Sequence, residues 1–134
     1  MSHSGRYRLL AAGWMMLIFF LSSQSSLPAV SSFSGADLLL HAGFYAILCV
    51  FLARSFTDPR IRNWNRVILL AVLVIVYGIT DEYHQSFVPG RDASIWDVLA
   101  DNVGGFLAAA MLFWRDRKTV NISEHVLPNE SRCA

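Results

Sequence analysis

The stretch TDEYHQSFVPGRDASIWDVLADN, residues 80–102, decides how this chain folds. It contains five carboxylates together with a histidine, an arginine, a glutamine and an asparagine, and it joins two strongly apolar segments. Ionisable groups held against a membrane are costly, so they indicate a functional site by default.

The composition of the chain is that of a membrane protein. Its 134 residues are 54% hydrophobic and only 16% charged, with a mean hydropathy of +0.42, and a soluble domain of this size carries more charge. Four apolar runs cover residues 9–21, 38–56, 67–79 and 98–114. A spanning helix needs about 20 predominantly apolar residues, which the first and third runs reach by including residues 7–22 and 64–83.

These runs predict an all-α integral membrane protein with four transmembrane helices arranged as two hairpins. Residues 1–118 would form the membrane domain, and residues 119–134 a polar, loosely ordered cytoplasmic tail. The first run also resembles a secretory signal, with Arg6 and Arg8 ahead of it and Ala29-Val30-Ser31 as a cleavage site. We favour a retained helix, because neighbouring helices are needed to cover the polar groups of the chain.

The basic residues predict the orientation. Ten of the eleven Lys and Arg residues flank the termini or the loop between the second and third runs, which places both termini in the cytoplasm. The opposite side carries six acids against Arg91 alone, whereas the cytoplasmic side carries ten bases against four acids. The sequence thus predicts an acidic polar site that faces outward.

The second and fourth runs begin alike. Ser34-x-x-Asp37 and Ser94-x-x-Asp97 are both capping signatures, so each aspartate has a structural explanation beside a functional one.

One turn deeper, by about 6 Å, each of these two helices carries a second polar group, His41 or Asp101. An isolated carboxylate at that depth needs a partner, for which His41, His84 and Arg91 are the candidates.

The third run contributes from its outer end. Asp81, His84 and Gln85 share a helix face, while Glu82 points about 100° away from Asp81. A Pro89-Gly90 turn then returns the chain toward Arg91.

Small residues in the fourth run, Gly104, Gly105, Ala108 and Ala109, predict close packing against a neighbouring helix. The full candidate site comprises Asp37, His41, Asp81, Glu82, His84, Gln85, Arg91, Asp97, Asp101 and Asn102.

The polar residues of the second hairpin, in their order and spacing, resemble the signature of the VanZ-like membrane proteins, over roughly residues 9–114. The matching elements are Asp81-Glu82-x-x-Gln85, Pro89-x-Arg91, Ser94-x-x-Asp97, Asp101 and Gly104, with Ser22-Ser23 and Asp37-x-x-x-His41 in the first hairpin.

The chain departs from the family pattern at three positions. Leu38 stands where a lysine is frequent, Asp101 where an asparagine is frequent, and Ala108 where a second glycine is frequent. The resemblance implies a bacterial envelope role in the cytoplasmic membrane, since the family is named for a protein implicated in teicoplanin resistance. It does not imply that this chain confers glycopeptide resistance.

Two functions follow from these features, a binding protein and an interfacial enzyme. An acidic outer site suits a lipid-linked envelope component or a glycopeptide, whereas carboxylates beside histidines suit acid/base chemistry on a lipid head group or coordination of a divalent cation. No complete catalytic set, no metal motif and no cofactor is evident.

Other roles are less well supported. Transport would need a polar path, and the inner halves of the runs are apolar apart from Cys49 and Tyr77. A purely stabilising polar network is the structural alternative. The lipid bilayer is the expected partner; nothing indicates nucleic acid, and the oligomeric state is left open.

Overall fold

A computed structural model describes residues 2–25, 35–56, 63–91 and 93–126, with only the helical backbone described for residues 63 and 116–126. Within these ranges the protein consists of four α-helices. They are α1 (His3–Ser22), α2 (Ala36–Ser55), α3 (Asn63–Gln85) and α4 (Ile95–Val126). The predicted all-α fold and the positions of the four helices are confirmed.

Three of the helices are long and apolar enough to cross a membrane. These segments are Ala36–Ser55, Trp64–Gln85 and Ile95–Arg115. The 20-residue α1 is not among them, and Arg6 and Arg8 lie in its first two turns. The protein is thus a helical membrane protein, while the fourth span and the orientation of the termini stay predictions.

The helices pack as two antiparallel hairpins. In the first, Trp14 of α1 stacks on Phe44 of α2, and Trp14 Nε1 donates to the Phe44 carbonyl at 2.9 Å. In the second, Trp64 near the start of α3 contacts Phe113 near the end of the membrane-spanning part of α4. The two hairpins bring α2 and α4 side by side and parallel, so the starts of α2 and α4 and the ends of α1 and α3 meet. We call this region the acidic end.

The apolar core lies between the hairpins. Tyr45, Leu48 and Cys49 from α2 are fully buried or nearly so and pack against Val74 of α3. The remaining members of this core cluster are Ile18, Ala53, Leu70, Ala108 and Ala109.

Two glycines of α4 allow the close approach that the small residues predict. A Cβ at Gly104 would lie 2.7 Å from the Ala42 Cα of α2, and a Cβ at Gly105 would lie 2.6 Å from the Val74 Cγ1 of α3. A real Cβ never comes this close to another atom, so α4 sits against both neighbours only because these positions lack one.

The tail and one helix start differ from the predictions. The segment from residue 119, expected to be loosely ordered, is helical to Val126, because no Pro or Gly follows Gly105 before Pro128. The N-cap of α2 is Gly35, with φ 101° and no side-chain hydrogen bond, rather than Ser34. Ser34 itself, the Ala29-Val30-Ser31 site and residues 127–134 lie outside the described residues.

Candidate functional site

His41 of α2 lies between two aspartates of α4. Its Nδ1 is 3.0 Å from Asp101 Oδ1, and its Nε2 is 4.0 Å from Asp97 Oδ2. Because Asp101 is fully buried and accepts through its carboxylate, Nδ1 is the donor of this bond. The partner of Asp101 is therefore His41; within the part of the chain that the structure describes, His84 and Arg91, the other two candidates, form no hydrogen bond to it.

Asp37 completes this group from the first turn of α2. One ligand atom each from Asp37, His41 and Asp97 lie within 4.8 Å of one another. The i and i+4 pairs on two parallel helices thus face each other, as their spacing predicts.

Asp81 of α3 binds α1. Its Oδ1 accepts from Ser22 Oγ at 2.7 Å, and its Oδ2 accepts from Gln85 Nε2 at 3.2 Å. All three side chains are buried. The predicted shared face of Asp81 and Gln85 is therefore turned toward the end of α1.

The Ser22→Ala variant should lower the free energy of unfolding by about 1–2 kcal/mol, because a buried carboxylate would lose its hydroxyl donor. Unfolding by sodium dodecyl sulfate in mixed micelles measures the difference. Ser23→Ala serves as the control, since both hydroxyls contact the Phe19 carbonyl but Ser23 is only partly buried and its hydroxyl lies against His84 rather than Asp81. Equal effects of the two substitutions would contradict the role assigned to Ser22.

His84 also contacts α1, but at the rim. Its Nε2 lies 3.0 Å from Ser23 Oγ, and its ring stacks on Phe19 with 4.2 Å between centroids. The imidazole is thus held by α1 and points away from the His41 group.

Glu82 joins α3 to the start of α4. Its Oε2 accepts from the Ser94 backbone N–H at 2.9 Å, across a turn in which Gly90 has φ 81°. Ser94 Oγ in turn accepts from the Trp96 N–H at 3.2 Å, so the predicted capping role of Ser94 is confirmed.

The capping role considered for Asp97 is wrong. The reciprocal bond of a capping box would run from Asp97 to the Ser94 N–H, and Glu82 occupies that donor instead. Among the described residues no backbone N–H donates to the Asp97 carboxylate, which is turned toward His41. Because Glu82 of α3 binds the Ser94 N–H, the Asp97 carboxylate is available to the site.

A small cleft of about 60 Å³ opens between α1, α2 and α3, with room for a few water molecules. One wall is apolar and formed by Ile18, Leu21, Leu40 and Phe44. The other is polar and formed by Ser22, Asp37, His41, Tyr45, Asp81, Gln85 and Arg91. The cleft therefore connects the His41 group with the Asp81 group.

Carboxylates outnumber arginines at the acidic end, where Asp37, Asp81, Glu82, Asp97 and Asp101 lie with Arg91. Glu82 Oε1 and Asp101 Oδ2 are buried without a hydrogen-bond partner among the described residues, as is Arg91 Nε. Asn102 does not join the site, because its amide donates to the Val98 carbonyl of its own helix at 2.7 Å.

Sequence reasoning missed one polar residue of the cleft, Tyr45, as well as the apolar wall. Its side chain is 1% exposed, and its hydroxyl has no hydrogen-bond partner among the described residues. The signal was present, since Tyr45 follows His41 by four residues and so shares its helix face.

Comparison with known sequences gives one match. The family model described as VanZ/LLP1 matches residues 8–116. This range includes α1 from residue 8 onward, all of α2 and α3, and the membrane-spanning part of α4. No curated protein and no solved structure is significantly similar to the chain.

Proposed function

The chain belongs to the VanZ/LLP1 family, and from this premise we propose that it binds the polar head group of an envelope amphiphile in the cleft at its acidic end. A lipid-linked cell-wall intermediate and a glycopeptide are both ligands of this class. In the same proposal α1 is retained as a fourth span, both termini lie in the cytoplasm of a bacterium, and the acidic end faces outward.

The observation that carries the proposal is the two-sided lining of the cleft. Leu40 and Phe44 offer an apolar wall to an acyl or prenyl chain, while Asp37 and Asp81 offer acceptors to a head group. Ligand sites of this kind combine an apolar wall with a few polar groups that fix orientation. The excess of carboxylates over arginine favours head groups that carry an ammonium group or several hydroxyl or amide donors.

The test uses the full chain in phosphatidylcholine nanodiscs with EDTA, titrated with octylammonium, octyl glucoside and octyl phosphate below their micelle concentrations. We expect saturable binding of octylammonium and weaker binding of octyl phosphate. Asp81→Asn should weaken octylammonium binding by about tenfold, since a charged acceptor is lost. Isothermal titration calorimetry gives the affinities.

Two neighbouring leucines provide the matched pair for the apolar wall. Leu40 lines the cleft, whereas Leu39 is 70% exposed and does not. Leu40→Ala should weaken binding and Leu39→Ala should not. The proposal fails if octylammonium and octyl phosphate bind equally well, or if both leucine variants behave alike.

A second candidate function is an interfacial enzyme, for which the His41–Asp101 pair is the specific observation. A buried carboxylate on Nδ1 fixes the tautomer of the ring and leaves Nε2 to accept a proton, as in an oriented general base. A chemical change in a bound lipid head group that requires His41 would favour this candidate over binding alone.

A further inference from the structure

We infer that Asp37, His41 Nε2 and Asp97 form a binding site for a divalent transition-metal cation such as Mn²⁺ or Zn²⁺. The ion would lie beside the cleft assigned above to a head group, whose lining includes Asp37 and His41 but not Asp97, and to that extent the inference rests on the proposed function. The site contains one nitrogen and two carboxylate ligands, the mixed set that suits these ions.

The separations fit a shared ion better than direct contact. Asp97 Oδ2 and His41 Nε2 are 4.0 Å apart, which is too long for a hydrogen bond. Two atoms that each lie about 2.1 Å from a common ion are about 3–4 Å apart. The limit of 4.8 Å for the whole group leaves room for an ion after a small contraction.

The Asp97 carboxylate lacks another explanation. The residue is 8% exposed, and among the described residues no donor reaches its oxygens, because Glu82 has taken the backbone N–H that a capping aspartate would bind. A buried carboxylate that is not hydrogen-bonded is unfavourable unless a cation neutralises it. Asp97 faces His41 and Asp37, so that is where a cation would be placed.

The Nδ1 atom of His41, on the side of the ring away from the proposed ion, is hydrogen-bonded as in metal-bound histidines. Asp101, which is outside the ligand set and fully buried, accepts from Nδ1 at 3.0 Å. Such a carboxylate fixes the tautomer with its lone pair on Nε2 and raises the basicity of the ligand.

The charges nearby are consistent with a dication. Glu82 Oε1 and Asp101 Oδ2 add buried acceptors without donors, and Arg91 is the one positive side chain of the cleft lining. With an ion bound, open coordination positions would face the cleft and accept an anionic oxygen of a ligand.

The experiment measures Mn²⁺ binding to the full chain in phosphatidylcholine nanodiscs, without any amphiphile, from the loss of the free-ion electron paramagnetic resonance signal. We expect one saturable site per chain, competition by Zn²⁺, and a ¹⁴N coupling from His41 that His41→Gln abolishes. Asp97→Asn should weaken binding by about 100-fold, and Asp101→Asn by about 10–100-fold.

Asn102→Ala is the matched control, because Asn102 lies at the same end but its amide donates to the Val98 carbonyl and it is not in the ligand set. It should leave Mn²⁺ affinity within about threefold of the parent, a change of well under 1.4 kcal/mol. Absence of a saturable site, or an equal loss in the Asn102 and Asp97 variants, would overturn the inference. Since the head-group titration is done in EDTA, the two proposals can fail separately.

Discussion

The Gly104→Ala variant should be the most damaging single-methyl change in the protein, lowering the free energy of unfolding by about 3 kcal/mol or more. The added Cβ would lie 2.7 Å from the Ala42 Cα and closer still to the Ala42 carbonyl. Backbone atoms cannot rotate away as a side chain can, so α2 and α4 would have to separate. Thermal unfolding in detergent and sodium dodecyl sulfate titration both measure the loss.

Gly43→Ala is the control for this experiment. Gly43 also lies within a helix, beside Ala42, but a Cβ there meets nothing within 4 Å. Alanine favours a helix over glycine by about 1 kcal/mol, so this variant should be as stable as the parent or more so. A Gly104→Ala protein with parental stability would show that α2 and α4 do not need their close contact.

The second large effect concerns the buried His41–Asp101 pair. Asp101→Leu and His41→Leu should each lower the free energy of unfolding by about 3–5 kcal/mol, because each leaves a buried polar partner alone. The double variant should be less damaging than the sum of the two, since an apolar pair leaves nothing unpaired. Sodium dodecyl sulfate titration of all four proteins gives the coupling energy.

Additive effects in this cycle would mean that the 3.0 Å contact contributes no stability. If the double variant is stable and still binds octylammonium and Mn²⁺ as the parent does, the His41–Asp101 pair only stabilises the fold. Stability with loss of Mn²⁺ binding separates a functional pair from a stabilising network.

The helices could be predicted from the sequence because apolar runs of spanning length leave few alternatives for the backbone. The His41–Asp101 contact could be narrowed to three candidates from i, i+4 spacing and the need of a buried carboxylate for a partner. The choice among the three candidates depends on how closely α2 and α4 approach each other. Gly104 allows a close approach, but its place in the sequence does not identify the residue of α2 that it contacts.

The role of Glu82 could not be predicted in the same way. Its direction, away from Asp81, was correctly expected, but its partner is a backbone N–H twelve residues later, on another helix. Sequence signatures of helix caps involve residues that are close in the chain, so they point to Asp97 as the acid that binds the Ser94 N–H. They do not detect Glu82, which lies on the other side of the turn. That Asp97 faces His41 instead follows only from the packing of the helices.

The parallel contact of α2 with α4 has a consequence for the order of synthesis. His41 and Asp101 are 60 positions apart, so His41 is synthesised well before Asp101. Until α4 is inserted, α2 lies in the bilayer with the His41 side chain lacking its Asp101 partner. A nascent chain that stops before residue 95 should therefore be a substrate for membrane quality control, and assembly should be completed by the last helix.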